Sequence, residues 1–225
     1  MPKLIVLYLK MNHQMELQDL RTEYGKGSLQ EEKTPENPFE LFGDWLTHAM
    51  YTGCTEANAM VLSTVSETGC PSSRVLLLKT LDEKGFVFYT NYDSLKGRQL
   101  KLNPQGALLF FWADIERQVR IEGVVEKVED ELSDAYFFSR PLRSRVSAVV
   151  SPQSTVIPSR TELEKMHNDF QLAHPEGRFN RPANWGGYRL VPRVFEFWQG
   201  RSNRLHDRIQ YSREAFVWKK CRLAP

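Results

Sequence analysis

The chain has 225 residues, 41% of them hydrophobic and 12% aromatic, enough apolar surface to bury the core of one large domain or two small ones and too much for global disorder. Lys and Arg number 30 against 28 Asp and Glu, leaving a formal net charge of +2, which argues against a nucleic-acid binder working through a broad basic face. Cys54, Cys70 and Cys221 are scattered and form no CxxC or Cys/His cluster, so no metal site is expected, and free thiols in a reducing, cytoplasmic setting are the simplest reading.

In chain order, Leu4–Leu9 is apolar but far too short to span a bilayer, and Lys10, Asn12 and His13 follow it where a signal peptide would carry small residues. No membrane partner is expected. Residues 1–35 read as an N-terminal extension and arm, and residues 36–225 as one domain. Glu31–Pro38, charged and carrying two prolines, suits an exposed lead-in. Phe39, Phe42, Trp45, Leu46 and Ala49 recur at helical spacing. The pattern then shortens to strands over Ala59–Val65, Arg74–Leu81, Phe86–Thr90, Ala107–Trp112 and Gln118–Val128, with Asp82–Gly85 as a hairpin turn. Ser94 is placed to cap a short helix. Glu131–Arg140 is helical up to Pro141, and Ser159 with Glu162 forms a capping box for a helix ending near Ala173. Trp185–Trp198 and Leu205–Tyr211 return to strand alternation. Many short strands with few helices predict a mostly β, α+β fold: an antiparallel β-barrel carrying peripheral helices.

Four segments carry side chains suited to chemistry. If the run Arg204-Leu-His206-Asp-Arg208 is extended, its two guanidiniums and imidazole share one face. That face is either solvated or part of an anion or flavin site, with Trp198 supplying nearby aromatic surface. Arg74 and Lys79 bracket a leucine-rich strand and, five residues apart, point to opposite faces, where they serve two phosphates or simply snorkel to water. Tyr136 and Arg140 lie one helical turn apart, with Ser144 beyond Pro141, a set that is either a phosphate cup or partly core. Thr90 to Gly97 leaves a strand and opens a helix, where free amides and Lys96 suit a phosphate, although an ordinary capped helix has the same pattern. No GxGxxG or Walker sequence occurs.

Together these segments resemble the pyridoxine/pyridoxamine 5′-phosphate oxidase family. The stretches that carry the resemblance include Ser73-Arg-Val-Leu-Leu-Leu-Lys79, Glu116-Arg-Gln-Val-Arg-Ile-Glu-Gly123, Tyr136-Phe-Phe-Ser-Arg-Pro141, Ser151-Pro-Gln-Ser154, Trp185-Gly-Gly-Tyr188, Asn203-Arg-Leu-His-Asp-Arg208 and the terminal Arg222-Leu-Ala-Pro225. They run in family order from about Leu20 to the last residue. The resemblance implies an FMN-binding split β-barrel working as a homodimer, with flavin sites at the subunit interface. It further implies oxidation of pyridoxamine or pyridoxine 5′-phosphate by O2 to pyridoxal 5′-phosphate, with hydrogen peroxide and, from the amine, ammonia. By position, Arg74, Lys79, Tyr89, Thr90, Lys96, Gln118, Gln153, Ser154, Trp185 and Arg208 are the implied FMN contacts. Lys79, Tyr136, Arg140, Ser144, Arg204 and His206 are the implied substrate contacts, Arg204 and His206 at the reacting end. Arg21 and Tyr24 match the family's mobile lid. Two positions depart from the pattern: Leu95 stands where an arginine is usual beside Lys96, and Arg145 where a glutamine is common. Another split-barrel flavin oxidase of the phenazine-biosynthesis type, or a non-enzymatic B6-phosphate binder, are the alternatives.

Overall fold

The computed structural model describes Leu17, Asp19, Leu20 and residues 22–225. Asn37 opens the first helix by accepting a hydrogen bond from the Phe39 amide, and Pro38, with no amide to lose, occupies its first turn. This helix, α1, runs Pro38–Tyr51 and buries the stripe Leu41, Phe42, Trp45 and Ala49. Among the described residues nine strands form one antiparallel sheet: β1 (Ala59–Val65), β2 (Pro71–Leu77), β3 (Thr80–Asp82), β4 (Gly85–Asn91), β5 (Gln105–Trp112), β6 (Arg117–Lys127), β7 (Trp185–Gln199), β8 (Asp207–Glu214) and β9 (Val217–Leu223). Helices α2 (Leu95–Leu102), α3 (Asp130–Ser139), α4 (Leu142–Val150) and α5 (Arg160–Ala173) lie between strands. The spatial order is β2-β1-β5-β6-β7-β4-β3, with β8 and β9 added beside β7.

The long strand β7 organises this sheet. Its first residues pair with β4, its last with β8, and its other edge with β6 from Tyr188 to Gln199. Register shifts between Glu122 and Gly123, opposite Pro192. Proline has no N–H for the ladder, so a bulge is where a central strand tolerates it, and the bulge bends the sheet. A Cβ on Gly123 would lie 2.1 Å from the Val191 carbonyl oxygen, so only glycine permits this approach. The sheet curls into a half-barrel flanked by five helices, as the strand-rich pattern predicts.

Alternation gives the sheet two unlike faces. Inward, Leu62, Leu108, Phe110, Val119, Ile121, Phe195, Phe197 and Ile209 are completely buried. Helix α1 closes this side, its Phe42 ring meeting Phe86 and Phe110 edge-on at 4.9 Å. Outward, Val75, Val61, Leu109, Arg120 and Glu196 stand in one cross-strand row, and Phe111, Gln118, Trp198 and Arg208 in the next. Val75 and Phe111 remain 65% and 56% exposed, so this outer face carries an apolar strip.

The structure corrects several sequence expectations. The strand expected over Arg74–Leu81 is two strands, because Leu78 turns into the core and bonds its amide to the Asn58 carbonyl. Alternation from Arg74 therefore does not extend to Lys79. Helix α3 stops at Ser139, since Pro141 holds Arg140 in an extended conformation at ψ 149°. Tyr136 and Arg140 consequently do not share a helix face. The last predicted strand starts at Asp207, not Leu205, and Arg204 sits in the turn Ser202–Arg204 with φ +59°. Arg204 and His206 both precede this strand, so neither shares a strand face with Arg208. Helix α4 and strand β9 had no clear sequence signal. Glu31–Pro38 is not a free arm: Thr34 and Pro38 are buried, the Tyr211 hydroxyl donates to the Pro35 carbonyl, and Lys220 Nζ donates to the Glu31 and Thr34 carbonyls. No helix among the described residues is long and apolar enough to cross a membrane.

Candidate active site

A cleft of about 560 Å³ opens where β2 and β4 meet the α3–α4 corner and the start of β7. Lys79, Tyr89, Thr90, Tyr136, Arg140, Ser144, Gln153 and Trp185, each singled out from sequence, all line it. The rings of Tyr89, Tyr136 and Trp185 lie parallel, Tyr89 and Tyr136 with centroids 3.9 Å apart. Arg140 places its guanidinium carbon 4.8 Å from the Trp185 ring centroid, and its buried Nη1 has no hydrogen-bond partner. Burial pushes the Arg140 pKa down and the Tyr89 pKa up, the latter helped by Tyr136. A buried guanidinium nitrogen without an acceptor is costly unless an anion arrives to meet it.

Beneath this cleft lies a second cationic cluster. Ser94 caps α2, accepting from the Gly97 amide, and Lys96 follows in its first turn, only 7% exposed. The Lys96 ammonium donates to Gln153 Oε1 at 2.8 Å and to the Thr90 and Ser94 hydroxyls at 3.2 Å. Arg74 donates to the Thr64 and Ser72 hydroxyls at 2.6 and 2.8 Å and to the Leu62 carbonyl. All these acceptors are neutral. Among the described residues no carboxylate pairs with Arg74, Lys79, Lys96 or Arg140. Burial, and then the nearby Arg74, push the Lys96 pKa down from 10.5 to about 8. Two unpaired cation clusters beside stacked rings are a chemical fit to planar phosphorylated molecules.

The remaining predicted residues lie elsewhere. Gln118 and Arg208 flank Trp198 in register on the outer face, near the far end of β7. Trp185 and Gln199 are separated by up to about 45 Å of strand, at ~3.3 Å per residue, and none of Gln118, Arg208, Arg204 and His206 lines the main cleft. His206 packs there too, 4.7 Å from the Trp198 ring and 5.6 Å from Tyr24, and its Nδ1 accepts from the Arg201 amide. That bond leaves Nε2 to carry the proton of the neutral imidazole. Arg204 is exposed and lines a separate cleft with Tyr24 and Arg201. Ser154 is exposed, at φ +69°, outside the lining of the main cleft. Arg21 lies outside the described residues.

Comparison with known proteins bears on this arrangement. The family profile described as "Pyridoxamine 5'-phosphate oxidase" matches residues 46–171, and "Pyridoxine 5'-phosphate oxidase C-terminal dimerisation region" matches residues 185–225. A pyridoxine/pyridoxamine 5′-phosphate oxidase of Pseudomonas paraeruginosa is 52% identical over 216 residues, covering 93% of this chain and 98% of that one. The chain belongs to the pyridoxamine 5′-phosphate oxidase family. It is an oxidoreductase of that family and carries the family's dimerisation region. PhzG from Burkholderia lata, solved in complex with tetrahydrophenazine-1-carboxylic acid, is 30% identical with a TM-score of 0.83, over 89% of this chain and all of that one. An FMN-binding protein from Nostoc punctiforme described as pyridoxamine 5′-phosphate oxidase-related shares the fold, with a TM-score of 0.67 at 18% identity over 84% of this chain and 98% of that one.

Sequence reasoning missed the groups that hold the predicted residues in place. Glu196, 4% exposed, bridges Arg208 (2.9 and 2.8 Å) and Arg120 (2.5 Å). Its alternation with Phe195 and Phe197, which face the core, would have placed it on the Arg208 side. Gln99, which accepts from both Thr64 and Ser72 behind Arg74, left no comparable signal.

Proposed function

We propose that this chain oxidises pyridoxamine 5′-phosphate and pyridoxine 5′-phosphate to pyridoxal 5′-phosphate with O2, using FMN, as a homodimer whose two sites lie between subunits. The observation that carries the reading is the pair of cation clusters with no carboxylate partner among the described residues, Arg74/Lys96 and Lys79/Arg140, beside the parallel Tyr89–Tyr136–Trp185 rings: two phosphates and two flat ring systems suit such a layout. Lys96, Arg74, Thr90 and Gln153 would hold the FMN phosphate. Lys79, Tyr136, Arg140 and Ser144 would clamp the substrate phosphate, the orphaned Arg140 Nη1 gaining an oxygen acceptor. Tyr89, Ser154 and Trp185, with Lys79 shared between flavin and substrate, complete the proposed flavin contacts on this side.

The division of residues along β7 supports the dimer. Gln118, Trp198 and Arg208 stand on the same outer face as the exposed Val75–Phe111 strip. A second copy seated on that strip would bring its own Gln118, Arg208, Arg204 and His206 toward this cleft. Residues 36–225 act as the catalytic domain and residues 1–35 as its arm, with Arg21 and Tyr24 over the substrate. FMN, when bound, supplies the two-electron acceptor that O2 re-oxidises. The chain's contribution is orientation: the phosphate clamp fixes the pyridine ring, Arg204 covers it, and His206 presents Nε2–H to the reacting substituent. The free thiols at Cys54, Cys70 and Cys221 fit a cytoplasmic setting.

The test is to incubate purified protein with FMN, O2 and each substrate, following pyridoxal phosphate and peroxide. Both products should appear in equal amounts, and unphosphorylated pyridoxamine should react far more slowly. Absence of peroxide with either phosphorylated substrate sinks the reading; turnover of a reduced phenazine carboxylic acid instead would favour a PhzG-like activity.

A further inference from the structure

Glu116 is a buried carboxylate to which the proposed chemistry gives no role. It follows the turn Ala113–Ile115, is 5% exposed and sits in the left-handed region at φ +56°. No cation pairs with it among the described residues. Instead Oε2 accepts two backbone hydrogen bonds from the N-terminal arm, from the Gly25 amide at 2.8 Å and the Lys26 amide at 2.9 Å. Its own carbonyl accepts from the Gly200 amide at 2.8 Å and from Gln199 Nε2 at 3.1 Å. One residue thus ties the arm to the end of β7.

The opposite side of the arm is held as closely. Ser202 Oγ donates to the Tyr24 carbonyl and Arg201 Nη1 to the Gly27 carbonyl. A Cβ on Gly200 would lie 2.9 Å from the Tyr24 side chain and 3.0 Å from that of Glu116, and one on Gly27 would lie 2.7 Å from Gln199 Oε1. The clasp delivers the Tyr24 ring edge-on to both Trp198 and His206 at 5.6 Å. Arg201, whose amide engages His206 Nδ1, reaches the same arm through its side chain.

We propose that Glu116 is a positioning residue: its carboxylate latches the Tyr24 arm against Trp198 and His206 and so sets the shape of the His206 half of the active site. This rests on the proposed reading in which His206 meets the substrate. A charge-assisted acceptor serving two amides is stronger than a neutral one, so the neutral, equal-sized Glu116→Gln should loosen the latch and Glu116→Ala should release it.

The experiment uses the full-length, FMN-loaded dimer. Amide hydrogen exchange at Gly25 and Lys26 should be slow in the wild type, faster in Glu116→Gln and fastest in Glu116→Ala, with Trp198 fluorescence changing in step. KM for pyridoxamine 5′-phosphate should rise roughly tenfold in Glu116→Ala, about what loss of one charge-assisted hydrogen bond produces, while FMN content and dimerisation stay unchanged. Tyr24→Ala should give a similar KM, and the double variant should be no worse than either single one, because both remove the same contact. Should Glu116→Ala fail to fold, Glu116→Gln and its double variant with Tyr24→Ala give the same comparison. Unchanged exchange in the Glu116 variants, or additive KM effects with Tyr24→Ala, overturns the proposal. If the wild type shows no oxidase activity, the functional reading falls by itself, and exchange at Gly25 and Lys26 with Trp198 fluorescence still decides the latch.

Discussion

Replacing Lys96 with methionine should make the protein without flavin more stable and its hold on FMN weaker. The ammonium is 7% exposed with only neutral acceptors around it, and its pKa drops from 10.5 to about 8. At ~1.36 kcal/mol per tenfold change in proton affinity, that drop corresponds to about 3 kcal/mol against folding while the lysine is charged. The sign follows from linkage. Between pH 8 and 10.5 the unfolded chain binds the proton and the folded chain releases it, so stability rises with pH across that window. Below about pH 8 the full penalty is present, and at pH 7 a neutral methionine escapes it. Truncation strands few partners: the Thr90 hydroxyl already donates to Gln153, and the Ser94 hydroxyl to the Asn91 carbonyl. Urea unfolding of the apo-protein at fixed concentration should therefore show Lys96→Met stabilised by roughly 1–3 kcal/mol at pH 7 and by much less at pH 10. Fluorescence titration should show its FMN affinity reduced about ten- to hundredfold, the range of a charge-assisted hydrogen bond. Wild-type affinity should itself fall above pH 8 as the lysine loses its proton. A variant that is less stable yet binds FMN normally would refute the argument, because Lys96 would then be a structural residue.

Three further outcomes are expected. Phe111→Asp puts a charge in the exposed strip on the outer face; light scattering should show monomer, with activity lost while circular dichroism stays folded, and an active dimer would move the interface elsewhere. Arg204→Ala removes an exposed side chain from a turn, so the protein should remain folded, dimeric and yellow while kcat/KM falls by two orders of magnitude or more, about 3 kcal/mol of lost orientation; near-normal kinetics would take Arg204 out of the site. Leu95→Arg places a guanidinium in the first turn of α2 beside Lys96 and should tighten FMN binding about tenfold. Arg98, the neighbouring cation, is already turned to the Asp93 carbonyl, and unchanged affinity would show that it swings back to the phosphate.

Local signals settled much of this protein before any folding is considered. The caps at Ser94 and Ser159 sit beside the helices they start, because capping involves atoms only two or three residues apart. The Asp82–Gly85 turn is equally local, Asp82 Oδ1 accepting the Lys84 and Gly85 amides. The run from Arg204 to Arg208 pointed to the family, and the phosphate-type residues Lys79, Tyr136, Arg140 and Ser144 could be named from motif positions. Where those motifs stand relative to one another was not legible. Arg204 left the strand face that alternation predicted because a left-handed turn intervenes, and Arg140 left its helix because Pro141 ends it. Glu116 gave no local sign of importance, and alternation could give the face of Glu196 but not its partners, since Gly25 and Arg208 become neighbours of these carboxylates only when strands and arm pair. The separation of Lys79 and Arg140, which line the cleft at the start of β7, from His206, which packs on Trp198 near its end, is likewise a consequence of one long strand, decided by the tertiary structure alone.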